Sequence, residues 1–251
     1  MEINRVILTK AKLEELSKTE RTLLLLLGHA SNEINVFTKI LLLMRKENVP
    51  SKLMMHAEAG QVFIMLRVLI GKLHEAWMLF KTRAQSDKRI AEKCLVHLPP
   101  EAKQSLEVLK KHFGTQSPLT RIRNKVAFHY RDDDDLTEKN FRLLPETDPW
   151  EFFLSNNPYH TFFLASEMVL AWSMIGLVPG PGSSDEMSDH EAIAKLIQLV
   201  ASVSTDILKL FVALMAIIIS RSIPDVKMVR EQVPDGPQAS AITIPFFFED
   251  D

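Results

Sequence analysis

Residues 121–131 hold the side chains with the clearest capacity for chemistry. The segment reads RIRNKVAFHYR and places Arg123, Asn124 and His129 in one short amphipathic stretch. Arginine stays charged and offers a planar fork of donors to phosphate oxygens. Histidine exchanges a proton near neutral pH. These residue types are what a site needs to bind or cleave a phosphodiester without a metal.

The same residues carry a resemblance to a known family. Arg123-Asn124, followed by His129 in an apolar helical frame, resembles the R-x(4–6)-H signature of HEPN domains, the helical "higher eukaryote and prokaryote nucleotide-binding" domains. The string RNKVAFHY is similar to the form found in stand-alone prokaryotic members. The resemblance covers residues 20–220 as architecture and 123–129 as a motif. It implies an all-α fold: a HEPN-like antiparallel helical bundle with a long helical hairpin and an irregular C-terminal tail.

The resemblance also implies an activity, that of a metal-independent RNA endonuclease. His129 would act as the general base on a ribose 2′-hydroxyl, and Arg123 would hold the scissile phosphate and stabilise its developing charge. Asn124 would orient the phosphate or the histidine. Glu75, on the second long helix, is the candidate for the acidic residue that often supports the Arg/His pair in HEPN domains. The expected products are a 2′,3′-cyclic phosphate and a 5′-hydroxyl.

The expected partners follow from the same reading. Arg121, Lys125 and Arg131 would attract the RNA backbone, and Tyr130 would stack on a base. RNA, tRNA included, is the expected substrate, in a toxin–antitoxin or phage-defence setting with an antitoxin or nucleotidyltransferase as partner. A homodimer is expected as well, because six residues of regular helix leave Arg123 and His129 roughly 120° apart. HEPN domains build their site at a two-fold interface, which would bring two Arg and two His together.

Alternative readings of these residues remain open. The arginine of the motif could pair with a helix carboxylate while the histidine caps the helix end, in a non-catalytic module that binds a nucleotide or a protein. Glu75 could form a salt bridge with Lys72 or Arg83. His29 and Glu33 have the i, i+4 spacing of metal ligands, so a metal-dependent hydrolase that also uses Asp132–Asp135 is a further alternative. The favoured reading expects no metal and no cofactor, with that acidic run as a solvated turn.

Composition and charge limit the classes of function that the chain can have. The chain has 251 residues, 46% of them hydrophobic and 25% charged, as in a globular protein. The single Cys94 excludes a disulfide framework and predicts a reducing, cytoplasmic setting. Residues 1–131 carry 23 Lys/Arg against 12 Asp/Glu, a net +11, and residues 132–251 carry 7 against 20, a net −13. No apolar run reaches the roughly 20 residues of a membrane span, so no membrane is expected.

Periodicity predicts long helices. Apolar residues at three- and four-residue steps indicate helices over 19–46 and 51–83, joined as an antiparallel hairpin. Further helices are expected over 88–97, 101–113, 118–130, 161–175 and 192–220, with a short one after a capping box at 135–138.

We expect a HEPN-like core at 1–178, a linker at 179–187, a long helix at 188–221 that completes the bundle or forms a dimer arm, and an irregular tail at 222–251. The phenylalanines near the C-terminus are expected to dock on the bundle or on a partner subunit.

Overall fold

The structure is a computed structural model, and it is mostly helical, as the sequence predicts. It describes residues 2–44, 51–127, 142, 151–157, 160–178, 189–223, 225–238, 241–242 and 244–246. The helices within these ranges are α1 (Lys10–Glu14), α2 (Lys18–Leu43), α3 (Lys52–Phe80), α4 (Lys88–Lys93), α5 (Pro100–His112), α6 (Pro118–Ile122), α7 (Leu164–Ile175) and α8 (Asp189–Ser222). Lys81–Gln85 and Arg123–Ala127 are π-helical turns, and Leu95–His97 is a 3₁₀ turn.

The chain divides into two compact units. Unit 1 comprises residues 1–35, 72–111 and 203–241, and unit 2 comprises 36–71, 112–202 and 242–251. Each of the three long helices, α2, α3 and α8, contributes residues to both units. Because the units interleave along the chain, residues that are far apart in sequence share one unit.

The buried faces of the long helices follow the predicted periodicity. In α2, Leu23, Leu27, Ile34 and Leu41 are buried at steps of four and seven residues, whereas Leu26 is 36% exposed. In α3, Leu66, Leu69, Leu73, Trp77 and Phe80 are buried, and Met55 is half exposed. α8 buries Val200, Val203, Ile207, Leu210, Leu214 and Ile218 along its length. These stripes supply most of the apolar core that stabilises each unit.

Helix ends follow from local hydrogen bonding. α2 begins with a capping box, in which the Ser17 hydroxyl accepts from the Glu20 backbone N–H and the Glu20 carboxylate accepts from the Ser17 N–H. α4 begins at Asp87, whose carboxylate accepts from two backbone N–H groups of the first turn. Because such caps satisfy N–H groups that have no partner inside the helix, they fix where these helices start.

The prediction of an irregular tail at 222–251 is wrong for part of that segment, which forms a β-strand. β1 (Glu2–Ile7) pairs antiparallel with β2 (Lys227–Gln232) in unit 1, with Arg5 opposite Val229. Diagonal ion pairs, Arg5–Glu231 at 2.9 Å and Arg230–Glu2 at 3.8 Å, link the two strands. The pairing is between segments more than 200 residues apart, so neither segment alone carries the signal of a hairpin.

Two helical stretches, Lys52–Gln85 and Glu191–Ser222, are long and apolar enough to cross a membrane by length and composition alone. Of their most apolar windows, 33% and 39% respectively are buried inside the fold. A helix in the core of a globular protein meets the same criteria. The absence of a membrane association therefore stays a prediction.

Candidate functional site

The motif segment begins as the sequence predicts. The Ser117 hydroxyl accepts from the Thr120 backbone N–H at 3.2 Å, and Pro118 occupies the first position of α6. Leu119, Thr120 and Ile122 are buried, and they pack this short helix against the rest of unit 2. The N-terminal side of the motif is thus anchored by a cap and by apolar packing.

The helix geometry then changes at the arginine. We expected a regular α-helix from Pro118 to about Tyr130, but α6 ends at Ile122 and Arg123–Ala127 form a π-helical turn. A π-helix closes hydrogen bonds from i to i+5, so the separation of roughly 120° expected for Arg123 and His129 in a regular α-helix does not hold through this turn. Single π-helical turns within helices are frequent at functional sites.

Within the π-helical turn the side chains divide into two sets. Val126 is buried and Arg123 is half-buried, with its Nε in the interior. The Arg123 Nη1 donates to the Asn124 Oδ1 at 3.2 Å. Asn124 and Lys125 are exposed, and Arg121 on the preceding turn is half-buried. The turn contacts α7, which belongs to the same unit. Arg123 is thereby held in place while Asn124 and Lys125 face solvent.

Several predicted site residues lie outside the described residues. They are His129, Tyr130, Arg131 and the acidic run Asp132–Asp135. Of the predicted catalytic set, the structure brings Arg123 and Asn124 into contact. Glu75 is exposed on α3 in unit 1, whereas the π-helical turn lies in unit 2. Lys72, an alternative partner that we considered for Glu75, donates to Glu33 Oε1.

The metal-dependent alternative gains no support from the described part of the chain. His29 Nε2 lies 3.7 Å from Glu33 Oε2, and the other oxygen of that carboxylate accepts from Lys72 Nζ. Among the described residues, no group of three or more His, Cys, Asp or Glu side chains is placed to hold a metal ion. Glu33 therefore forms an ion pair with Lys72 in unit 1.

A second group of polar residues in unit 2 was not found by sequence reasoning. His56 Nδ1 lies 2.8 Å from Glu151 Oε2, and Arg67 Nη1 lies 2.8 Å from Glu167 Oε2. Arg67 and Glu167 have side chains that are 12% and 16% exposed, so this ion pair is nearly buried. Each pair joins α3 to a segment about a hundred residues away, and no spacing in the sequence marks such a pair.

These pairs flank an apolar cavity of about 200 Å³. Its lining comes from α3, α7 and Ile193 of α8, all in unit 2. His56 and Glu167 are the polar side chains among the lining residues. The cavity and the motif turn both contact α7, from which Leu164, Glu167, Met168, Ala171, Trp172 and Ile175 line the cavity.

Charge is distributed differently between the units than along the chain. Unit 1 contains 18 Lys/Arg and 14 Asp/Glu, a net +4, and unit 2 contains 12 Lys/Arg and 18 Asp/Glu, a net −6. The basic first half of the sequence is therefore shared between both units. The unit that carries the motif is acidic overall, and four of its 12 Lys/Arg belong to the motif segment 121–131.

The fold is mostly helical with one two-stranded sheet, and the candidate site places an Arg-Asn pair on a π-helical turn. Comparisons with protein-family models, with curated proteins and with solved structures found no match to the chain.

Proposed function

We propose that this protein is a HEPN-like, metal-independent RNA endonuclease whose active site includes Arg123 and His129. The observation that carries the proposal is the π-helical turn Arg123–Ala127, which begins at the arginine of the motif. A single π-helical turn is a departure from regular geometry that is frequent at functional sites. Here it coincides with the one segment whose residue types suit phosphodiester chemistry.

The proposed reaction is an attack of the ribose 2′-oxygen on the adjacent phosphorus. His129 removes the 2′-hydroxyl proton, the 2′-oxygen bonds to phosphorus, and the 5′-oxygen of the next nucleotide leaves and takes up a proton. Arg123 binds the phosphate oxygens and stabilises the charge that builds up on them. Its Nη1 is already oriented by the Asn124 carbonyl oxygen, which reduces the ordering needed when a phosphate binds.

Electrostatics favour a restricted RNA contact over a broad basic surface. Because unit 2 has a net charge of −6, attraction to RNA must come from cations near the motif, namely Arg121, Lys125 and Arg131. Asn124 and Lys125 are exposed and thus accessible to a polyanion. The homodimer, the antitoxin or nucleotidyltransferase partner and the cytoplasmic setting are part of the same proposal.

The acidic balance of unit 2 also favours a second candidate, a non-catalytic module of HEPN-like fold that binds a nucleotide or a protein. In that case Arg123 would hold a single phosphate or a carboxylate, since one bidentate contact does not need a basic surface around it. Loss of the His129 imidazole would then leave ligand binding intact.

Incubation of the purified protein with total RNA and tRNA in EDTA tests the proposal. Arg123→Ala and His129→Ala should both lose cleavage, and the wild-type products should carry 2′,3′-cyclic phosphate and 5′-hydroxyl ends. Arg83→Ala and His29→Ala are matched controls: Arg83 lies in the other π-helical turn, in unit 1, and His29 is an exposed histidine of that unit. Both controls should retain activity.

The outcomes separate the two candidates. Cleavage that is abolished by both motif substitutions and by neither control supports the endonuclease. Absence of cleavage by a folded wild-type protein, combined with Arg123-dependent and His129-independent binding of a nucleotide, supports the binding module. Cleavage that persists in His129→Ala, or that EDTA abolishes, contradicts the proposed mechanism.

A further inference from the structure

We propose that the apolar cavity of unit 2 is a binding site for a compact, neutral ring compound with one hydrogen-bond-donating end. The cavity lies between α3, which contributes Gly60 and Phe63, and α7, which contributes Ala171 and Trp172. All lining residues belong to unit 2. This inference stands on the cavity alone and does not depend on the proposed nuclease activity.

The size of the cavity limits the ligand. Its volume of about 200 Å³ is somewhat larger than the ~150 Å³ of an engineered apolar cavity that stays dry and binds benzene. It is smaller than the ~300–1,000 Å³ of sites for drug-sized ligands. One substituted six-membered ring or one small bicyclic ring therefore fits, and a nucleotide with its ribose and phosphate does not.

The lining favours an uncharged aromatic ligand. Leu164, Met168, Ile175 and Ile193 supply aliphatic surface, and Phe63 and Trp172 supply aromatic surface. Aromatic rings in such surroundings gain from offset or edge-on packing beyond the burial of apolar area. An anion would have to give up its hydration beside the Glu167 carboxylate, so negatively charged ligands are excluded.

The Arg67–Glu167 pair determines which kind of polar group the ligand can carry. Glu167 lines the cavity, and its Oε2 and the Arg67 Nη1 are both buried, 2.8 Å apart. Among the described residues neither of these two atoms meets the angles of a hydrogen bond. Because Oε2 is inaccessible and faces Arg67, a donor from the ligand would bond to the other carboxylate oxygen, Glu167 Oε1. Because Arg67 already offsets the charge of Glu167, a neutral O–H or N–H suits the site better than an ammonium group.

His56 supplies a second polar contact at the cavity. Its Nδ1 is bonded to Glu151 Oε2 at 2.8 Å, and the side chain is 26% exposed. With one ring nitrogen engaged by the carboxylate, the orientation of the imidazole is fixed and the other nitrogen is left for a ligand or for water. This places a polar group on α3 eleven residues before Arg67.

Binding of two matched probes tests the assignment. p-Cresol and toluene have nearly the same shape, and p-cresol adds one hydroxyl donor. Measured by ligand-observed NMR or calorimetry on the full chain, p-cresol should bind saturably and about tenfold or more tightly than toluene, as expected for a hydrogen bond to a charged acceptor. Benzoate should not bind. Equal affinity for p-cresol and toluene, or no saturable binding of p-cresol, overturns the proposal.

Variants locate the probe. Ala59→Trp should abolish p-cresol binding, because Ala59 lines the cavity yet is exposed at the helix surface and so accepts a large side chain. Ala171→Phe fills the same space from α7 and serves as the second blocking variant. Ala213→Trp, in a shallow depression of unit 1, is the matched control and should bind p-cresol like the wild type. Unchanged binding in both blocking variants, with their helical circular dichroism intact, would place the probe elsewhere and overturn the inference.

Discussion

The ring of Phe162 lies against the backbone of Gly60 and occupies the space in which a Cβ on residue 60 would lie. Phe162 is held there from two sides, by Phe153 with a centroid distance of 6.2 Å and by Phe246, edge-on, at 4.9 Å. The ring therefore cannot move aside without loss of these contacts. This also confirms the expectation that the C-terminal phenylalanines dock on the chain, as far as Phe246 is concerned.

This relationship predicts that Gly60→Ala destabilises the protein. Alanine in the middle of a helix gains roughly 0.8–1 kcal/mol over glycine. The collision with the Phe162 ring is an overpacking, which typically costs about 1–3 kcal/mol. The second effect is the larger because two aromatic neighbours hold the ring. Urea denaturation should give a lower free energy of unfolding for the variant.

Gly28→Ala is the matched control, since Gly28 is also in the interior of a long helix. The nearest atom to a Cβ at this position is Met215 Sδ at 3.9 Å, an ordinary contact. The substitution should therefore stabilise the protein by about 0.8–1 kcal/mol. A stabilisation by both substitutions would show that Phe162 does not restrict residue 60.

Much of the helical architecture could be predicted from local sequence. The Ser117-Pro118 pair predicts the start of α6, and the spacing of Leu23, Leu27, Ile34 and Leu41 predicts the buried face of α2, because caps and stripes act within one or two turns. The β1–β2 pairing could not be predicted, because it depends on contacts between the two ends of the chain. Long-range pairings leave little trace in a single sequence.

For the candidate site too, local features could be predicted from the sequence and long-range contacts could not. The Arg123–Asn124 contact follows from adjacent residues, whereas the change to π-helical geometry at Arg123 has no recognisable local signal. The polar groups of the cavity were missed, because His56 pairs with Glu151 and Arg67 with Glu167 across about a hundred residues. These side chains come into contact only because α3 packs against segments that are distant in the sequence.

Removal of one member of the Arg67–Glu167 pair should be costly. Each side chain is nearly buried, so Arg67→Met or Glu167→Leu leaves the other charge in the interior without its counter-ion. Such losses are typically about 3–5 kcal/mol. The double variant should lose much less than the sum of the two, because no unpaired charge remains. A double-mutant cycle in urea measures this difference, and additive losses would show that the two charges are independently solvated.

Cys94 should be unreactive in the folded protein. The thiol is 2% exposed, and burial together with the negative charge of Glu20 raises its pKa, with Arg221 and Lys93 opposing in part. The thiolate, which is the reactive form, is therefore scarce at neutral pH as well as inaccessible. A disulfide exchange reagent should modify the native chain slowly and the denatured chain at once. Rapid modification under native conditions would contradict the buried position.

The Glu20 capping box predicts a specific loss of stability in acid. Burial raises the pKa of this carboxyl, but hydrogen bonds from the Ser17 hydroxyl and backbone, the positive charge of Lys93 and the Ser222 hydroxyl outweigh that effect, and the pKa lies below its ordinary value. Ionised Glu20 therefore stabilises the fold fully above the unfolded-state pKa of about 4.3, and this contribution is lost as the pH falls through the lower folded-state pKa.

Glu20→Gln should accordingly cost about 1 kcal/mol at pH 7, because glutamine keeps the capping geometry but not the charge. The difference from the wild type should narrow as the pH falls below about 4, where the wild-type carboxylate also becomes protonated. Free energies of unfolding measured for both proteins between pH 3 and 7 test this expectation. Glu107→Gln is the control, since Glu107 is an exposed helix carboxylate paired with Lys110, and it should change stability little at any pH. A Glu20→Gln deficit that stays constant down to pH 3 would mean that the charge of Glu20 does not contribute.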